Sequence, residues 1–304
     1  TAILSHQGTE VPMSQLIMAH HDSLGQIDYL WTILRDISER KTAEAALELE
    51  RTQLAQAQAV LISTPMQALR GFLAGPGAVL DGKALVACCK GVDMATLQGP
   101  SAVIRARCSD AGIAVLTGPS FAADIARGLP TALTLAGADE ALQARLSTPS
   151  LRLYRSADVV GAELGGALKN VMAIAAGVVM GAGLGDSARA ALMTRGFAEM
   201  QRFALAKGAR AETLAGLSGL GDLILTCTSA QSRNFRFGQA MGQEARFDPT
   251  ITVEGAATAV AVAKIAQRDG IDMPITQMIA ALMAQEITLR QAIQALMSRP
   301  LKEE

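Results

Sequence analysis

This 304-residue sequence has few aromatic residues, few cysteines and histidines, and almost no net charge. Phe, Trp and Tyr make up 3% of the residues while half are hydrophobic, so the interior must be built from Ala, Leu, Val, Ile and Met. The formal charge of -1, with no block of Lys or Arg, argues against a nucleic-acid-binding surface. The length allows two domains with separate hydrophobic cores.

Patterns typical of metal sites and of export are also missing. The four cysteines form no C-x-x-C pair, and two of the three histidines are the adjacent His20 and His21, which we interpret as solvated side chains. We therefore predict no metal and reduced thiols in a cytoplasmic protein. No basic region followed by an apolar run marks an export signal, and Thr1 in place of Met suggests a fragment or a processed chain.

The first fifty residues differ in pattern from the rest. Runs at 11–18 and 26–34, separated by Asp-Ser-Leu-Gly, predict a β-hairpin, and a charged helix is expected from 37 to about 57. The stretch GQIDYLWTILRDISERKTAEAALE resembles the closing hairpin of a PAS sensor domain and the signalling helix behind it. This resemblance implies a sensory or dimerising module at residues 1–52, with a possible homodimer through the helix.

Residues 53–158 alternate between strand and helix patterns. Short apolar runs at 59–63, 84–89 and 113–117 predict buried parallel strands joined by helical crossovers, and runs at 131–136 and 151–154 complete this part. Ligands bind outside the carboxyl ends of such strands, so we expect Thr64, Lys90 and Ser120 to share one edge. Ser120 is also predicted to cap a helix at 121–127, although capping alone would explain it.

Residues 159–304 are predicted to be entirely helical. Helices are expected at about 160–180, 187–206 with Ser187 as its cap, 211–219, 233–242, 253–268, 274–285 and 288–298. The first contains 15 uninterrupted small or apolar residues after Asn170, too few to cross a bilayer, so we predict a buried helix and no membrane association.

Lys169 lies near the start of that apolar helix. A buried ammonium group must find an anion, lose its proton or reach water, and Glu163 is one possible target for an escaping side chain. Asp222 stands alone in the apolar segment 219–228 and is the candidate partner, although capping of a backbone amide would also explain it. Ser232, Arg233 and Asn234 would suit a phosphate at a helix start, the alternative being a solvated basic turn.

Several motifs in series resemble those of bacterial NAD(P)-dependent glycerol-3-phosphate dehydrogenases. They are Thr-Gly-Pro-Ser-Phe-Ala at 117–122, Leu-Gly-Gly-Ala-Leu-Lys-Asn at 164–170, Gly-Leu-Gly-Asp-Leu-Ile-Leu-Thr-Cys-Thr at 219–228 and Gln-Ser-Arg-Asn-Phe-Arg-Phe-Gly at 231–238. Cys-Lys-Gly at 89–91, Val-Glu-Gly at 253–255 and Met-Pro-Ile-Thr at 273–276 follow the family order. The resemblance covers residues 53–304.

The resemblance implies hydride transfer between NAD or NADP and a small phosphorylated substrate, interconverting dihydroxyacetone phosphate and glycerol 3-phosphate. It assigns three kinds of role: catalysis to Lys169, Lys90 and Asp222; substrate binding to Gly118, Ser120, Ser232, Arg233 and Asn234; and cofactor binding to Ala122, Arg233 and Glu254. A hydroxyacid or 6-phosphogluconate dehydrogenase shares a helical lysine but accounts less well for residues 232–234.

The glycine-rich cofactor fingerprint G-x-G-x-x-G is missing from the sequence. The glycines at 181–185 and 216–221 have the wrong spacing and lie in the helical part. We therefore expect a partial Rossmann-like parallel sheet that lacks its first strands, impaired cofactor binding, and a fusion of two pieces near residues 48–53. The run at 59–63 would then form an open sheet edge unless the hairpin or another chain covers it. The alternative function is a non-catalytic sensory fusion on a dehydrogenase remnant.

Overall fold

The computed structural model describes residues 2–3, 18–21, 27–32, 56–75 and 77–297, with side chains from residue 56 to residue 294. Most of the expected charged helix and the turn of the expected hairpin lie outside the described residues.

The described strands form one eight-stranded sheet in which neighbours in sequence are neighbours in space. The strands are β1 Ala2–Ile3, β2 Met18–His21, β3 Ile27–Thr32, β4 Ala59–Ile62, β5 Ala84–Ala87, β6 Gly112–Thr117, β7 Thr131–Ala136 and β8 Leu151–Ser156. β3 to β6 are parallel, as are β7 and β8. The sheet is therefore predominantly parallel, with β4 to β8 at the predicted positions.

β7 departs from the parallel arrangement, because it pairs with β6 in the antiparallel direction. Parallel neighbours need a long crossover that packs on the sheet face. The link between β6 and β7 contains a helix of only five residues, Ala122–Ala126, so the chain turns back beside the strand it has just left.

The edge of β4 is covered by β3, whose register runs from Tyr29 opposite Ala59 to Thr32 opposite Ile62. β2 pairs with β3 in the antiparallel direction, with a shift in register between His20 and His21. β2 begins at Met18, where the first predicted run ends. The position that the sequence analysis left open is thus occupied by a strand from the N-terminal segment.

Both faces of β4, β5 and β6 are buried, which explains their continuous apolar runs. Along β4, Val60 and Ile62 join one hydrophobic cluster, while Leu61 joins a second cluster on the opposite face. Successive strand side chains point to opposite faces, so a strand covered on both sides is apolar at every position. Helices cover the sheet; they are α1 Leu69–Ala74, α2 Gly77–Leu80, α3 Pro100–Arg105, α4 Ala122–Ala126 and α5 Glu140–Leu146.

From Val159 to Met297 the described chain is helical. The helices are α6 Val159–Gly181, α7 Gly185–Ala206, α8 Ala211–Ala215, α9 Asp222–Thr228, α10 Arg233–Gly242, α11 Glu254–Asp269, α12 Pro274–Met283 and α13 Leu289–Met297. Two details differ from the prediction. α7 begins at Gly185, so Ser187 does not cap it, and the predicted helix at 211–219 ends at Ala215 and continues as a π-helical turn, Leu217–Gly221.

α6 is the central helix of this part. By length and composition it could cross a membrane, but 83% of its most apolar 18-residue window is buried inside the protein, so it is a core helix. Glycines let other helices approach its backbone. A Cβ added to Gly238 on α10 would collide with the carbonyl oxygen of Ile174, and one added to Gly177 would collide with that of Phe235. The abundance of small residues in α6 thus has a packing cause.

Candidate active site

Lys169 is 6% exposed and forms two hydrogen bonds on the inner face of α6. Its Nζ donates to Asp222 Oδ1 at 2.8 Å and to Thr226 Oγ1 at 2.7 Å. Glu163, the alternative target, instead accepts a hydrogen bond from the backbone N–H of Ser101. Lys169 therefore does not reach toward water, and its partner is the predicted aspartate.

Asp222 is fully buried and joins a second lysine to the first. Its Oδ2 accepts a hydrogen bond from Lys90 Nζ at 2.9 Å, while Thr226, one turn further along α9, donates to Oδ1 at 3.2 Å. Asp222 is the first residue of α9, but its carboxylate does not cap the helix. One carboxylate is thus shared by two ammonium groups that come from a strand end and a core helix.

The pKa values of Lys169 and Asp222 are both lowered, for different reasons. Burial lowers the pKa of Lys169 from 10.5 to about 8, Asp222 opposes this shift and the positive charge of Lys90 adds to it. Burial would raise the pKa of Asp222, but the two lysines outweigh it and the pKa is lowered. Asp222 therefore remains a carboxylate, while Lys169 can gain or lose a proton near neutral pH.

Two buried threonines lie at the ends of β4 and β6. Thr64 and Thr117 are each 2% exposed, and neither side-chain oxygen has a hydrogen-bond partner among the described residues. Gly118 follows with a φ of 138°, a conformation that suits glycine, and a Cβ there would contact Leu133.

The predicted capping role of Ser120 is wrong. α4 begins at Ala122 with Phe121 as its N-cap, and no side chain caps it. The helix starts one residue later than expected, which leaves Ser120 half-buried in the connection after β6. Ala122 is exposed at the start of α4.

The residues of the predicted phosphate clamp occupy different environments. Ser232 is the N-cap of α10 and accepts a hydrogen bond from the N–H of Phe235 at 3.2 Å, while Asn234 Oδ1 accepts one from the N–H of Gly255 at 2.9 Å. Arg233, between them, is exposed. The Ser232 hydroxyl and the Asn234 amide group still have N–H or O–H donors for a ligand.

Close backbone contacts link the 232–234 segment to the lysine cluster. A Cβ on Gly255 would lie 2.5 Å from the carbonyl oxygen of Asn170, the residue after Lys169, so the start of α11 rests on α6 beside the lysine. Glu254 reaches the segment after β4, where its Oε1 accepts a hydrogen bond from the N–H of Met66 at 3.3 Å. Burial raises the pKa of Glu254, and the charge of Arg233 opposes that shift.

Comparison with known proteins agrees with these motifs. The family model for the C-terminus of NAD-dependent glycerol-3-phosphate dehydrogenase matches residues 158–294, and the model for its N-terminus matches residues 2–143. The chain belongs to the NAD-dependent glycerol-3-phosphate dehydrogenase family.

Individual relatives are similar over most of their length. Glycerol-3-phosphate dehydrogenase [NAD(P)+] of Cereibacter sphaeroides is 68% identical over 254 residues, which cover 82% of this chain and 83% of that protein. The Paracoccus denitrificans protein of the same name is 63% identical over 252 residues, covering 82% and 80%. The crystal structure of glycerol-3-phosphate dehydrogenase from Coxiella burnetii has a TM-score of 0.77 and 35% identity, covering 82% of this chain and 79% of that one.

The PAS interpretation of the N-terminal stretch gains no support from these comparisons. The N-terminal family model begins at residue 2 and so includes the region that the sequence analysis compared with a PAS domain. The comparisons therefore do not support a sensory module in the first fifty residues.

Thr226 is a site residue to which the sequence analysis gave no role. It is 2% exposed and bonds to both members of the central ion pair. Its position four residues after Asp222 places the two side chains on one face of α9. That spacing was the signal available in the sequence.

The family is NAD(P)-dependent, and the described residues fit one end of such a cofactor. Just after β4, the buried hydroxyl of Thr64 has no hydrogen-bond partner among the described residues, and the carboxylate of Glu254 accepts a hydrogen bond from the N–H of Met66. Both groups could form hydrogen bonds with a nicotinamide. The glycine-rich loop for the pyrophosphate is missing from the sequence, and β3 is followed by Ile-Leu-Arg-Asp rather than by glycines.

Proposed function

We propose that this chain catalyses the reversible oxidation of glycerol 3-phosphate to dihydroxyacetone phosphate with NAD or NADP. The observation that carries the proposal is the cluster in which the buried Asp222 carboxylate holds both Lys169 and Lys90. The nicotinamide supplies or accepts the hydride at C2; the residues of this chain supply position, charge and the proton.

Lys169 is proposed as the proton acceptor for the C2 hydroxyl in oxidation and the proton donor in reduction. A general acid or base works best when its pKa is close to the working pH, and burial brings the pKa of Lys169 to about 8. Its bonds to Asp222 and Thr226 fix the direction in which the amine presents its lone pair or proton.

Lys90 is proposed to polarise the same oxygen. Its side chain is 21% exposed, against 8% for Lys169, so Lys90 stands on the more open side of the shared carboxylate. A fixed ammonium group stabilises the negative charge that develops on the C2 oxygen during hydride transfer. Asp222 orients both amines and keeps the cluster at a net charge of one or less.

Ser232, Arg233 and Asn234 are proposed to hold the substrate phosphate. Their remaining donors, including the planar fork of Arg233, suit a tetrahedral anion at the start of α10. Gly118 and Ser120 are proposed to contact the substrate from the end of β6. Ala122, Arg233 and Glu254 would lie against the cofactor.

Cofactor affinity is proposed to be weak, because no glycine-rich loop cradles the pyrophosphate. Titration of NADH and NADPH against the purified chain, followed by nucleotide fluorescence, tests this point separately from turnover. Saturation at micromolar nucleotide would overturn the proposed weakness while leaving the reaction itself standing.

The reaction is tested by measuring the oxidation of NADH and NADPH with dihydroxyacetone phosphate or a 2-keto acid, and the reduction of NAD+ and NADP+ with 6-phosphogluconate. We expect turnover with dihydroxyacetone phosphate and its loss in Lys169→Met. Preference for either competing substrate would refute the proposal in favour of a related two-domain dehydrogenase.

A further inference from the structure

Thr117 carries a buried hydroxyl that nothing in the described chain satisfies. The residue ends β6 and is 2% exposed, and its Oγ1 has no hydrogen-bond partner among the described residues. Buried polar atoms are nearly always paired, because an unpaired hydroxyl forgoes the hydrogen bonds that it makes in water. An unpaired hydroxyl at a strand end is therefore a candidate ligand contact.

The hydroxyl lies against Gly166 on α6, near the side chain of Lys90. A Cβ added to Gly166 would be 2.6 Å from Thr117 Oγ1 and 3.6 Å from Lys90 Cγ, so the hydroxyl occupies the space that a side chain on Gly166 would fill. Gly166 precedes Lys169 by three residues, which places both on the same face of α6. Thr117 thus reaches the face of the helix that carries the proton-transferring amine.

We propose that Thr117 Oγ1 hydrogen-bonds the hydroxyl on the unphosphorylated end carbon of a three-carbon polyol phosphate. The inference rests on the function proposed above. In that function the 232–234 segment takes the phosphate, and Lys169 and Lys90 take the oxygen on C2. One polar group of the substrate then remains, a neutral hydroxyl, and a threonine hydroxyl can both donate to it and accept from it.

This contact would make Thr117 a specificity-determining residue. A ligand that lacks the end hydroxyl leaves Oγ1 unpaired, whereas the full substrate satisfies it, and discrimination of this kind follows from the penalty on unpaired buried polar groups. Thr117→Val keeps the shape of the side chain and removes only the unpaired hydroxyl, so we expect the variant to fold with undiminished stability.

The test is a calorimetric binding cycle with two ligands, glycerol 3-phosphate and the matching enantiomer of propane-1,2-diol 1-phosphate, each with and without excess NADH. Thr117→Val should weaken glycerol 3-phosphate binding by about 2- to 12-fold, the value of one neutral hydrogen bond, and change binding of the deoxy ligand by less than about 2-fold. Thr117→Ser should retain the preference. Thr134→Val is the matched control, because Thr134 is the buried residue facing Thr117 on β7.

The possible failures are distinguishable. Equal weakening of both ligands, no weakening of either, or an equal effect of Thr134→Val would overturn the contact at Thr117 while the proposed function stands. If the unaltered chain binds neither ligand under either condition, the proposed function itself is overturned.

Discussion

Replacing Asp222 with Asn removes the only negative charge in a buried cluster that contains two amines. The asparagine has nearly the same shape, but Lys169 and Lys90 then face each other without an anion. Removing one partner of a buried ion pair costs about 3–5 kcal/mol of folding stability, because the remaining charge stays desolvated. We expect a loss of about this size at pH 6.

The loss should shrink as the pH rises. Folding lowers the pKa of Lys169 from 10.5 to about 8, so the unfolded chain binds more protons between these values and stability rises with pH there. Asp222 raises the pKa of Lys169, so Asp222→Asn lowers that pKa further. The pH range over which stability rises then begins at a lower pH. Below pH 8 the variant then gains stability while the parent stays level. The difference in free energy of unfolding between the parent and the variant narrows by about 1.4 kcal/mol for each unit by which the pKa of Lys169 falls.

Urea denaturation of both proteins at pH 6 and pH 9 measures this effect, with Asp158→Asn as the matched control. Asp158 is a buried carboxylate that accepts hydrogen bonds from the backbone N–H groups of Gly161 and Arg210. Its pKa is lowered by folding, so its contribution is lost only as the pH falls below the usual range of Asp, and the cost of Asp158→Asn should be level between pH 6 and 9. The prediction is contradicted if the stability cost of Asp222→Asn is the same at pH 6 and pH 9, or if that cost is below about 1 kcal/mol.

Three further predictions follow from the site and from the helix packing. Lys169→Met should lower kcat by about 10²- to 10⁴-fold, the usual contribution of a general acid or base, while calorimetry shows glycerol 3-phosphate still binding; full activity would contradict the proton-transfer role. Lys90→Met should move the alkaline rise of kcat/KM for glycerol 3-phosphate oxidation to a pH above about 8, because the charge of Lys90 lowers the pKa of Lys169; a pH-rate profile that shows no shift, or a downward one, would contradict the coupling. Gly238→Ala should cost about 1–3 kcal/mol or more in urea denaturation, since its Cβ would collide with the carbonyl oxygen of Ile174. Gly71→Ala, where nothing lies within 4 Å, should instead stabilise α1 by about 0.5–1 kcal/mol, and similar effects at the two positions would contradict the packing argument.

Strands and long helices could be predicted because their local patterns are strong. Within the runs at 59–63 and 84–89, the residues that form β4 and β5 are apolar at every position, as strands between two buried faces require. The helix predicted at 160–180 is α6 within one residue at each end. Pro274 was expected in the first turn of a helix and begins α12. Such features depend on neighbours along the chain.

Other features depend on contacts between distant segments and carried no local signal. Ser120 was predicted to cap a helix, but α4 begins one residue later, at Ala122, with Phe121 as its N-cap. The π-helical turn at 217–221 arises where Gly219 lies against the backbone of Leu214, so close that a Cβ there would collide with its carbonyl oxygen. The direction of β7 and the pairing of β3 with β4 are likewise set by which strand edges meet.

Sequence motifs were enough to indicate the family, the alternation of strands and helices, a lysine in an apolar helix and an aspartate in an apolar segment. The three-dimensional fold was needed to show that Lys169 and Asp222, 53 residues apart, meet at 2.8 Å and that Lys90 shares the same carboxylate. It was also needed to show that the Thr117 hydroxyl has no hydrogen-bond partner among the described residues. Residue type and spacing indicate burial, whereas the packing of elements far apart in the chain selects the partner of a buried charge.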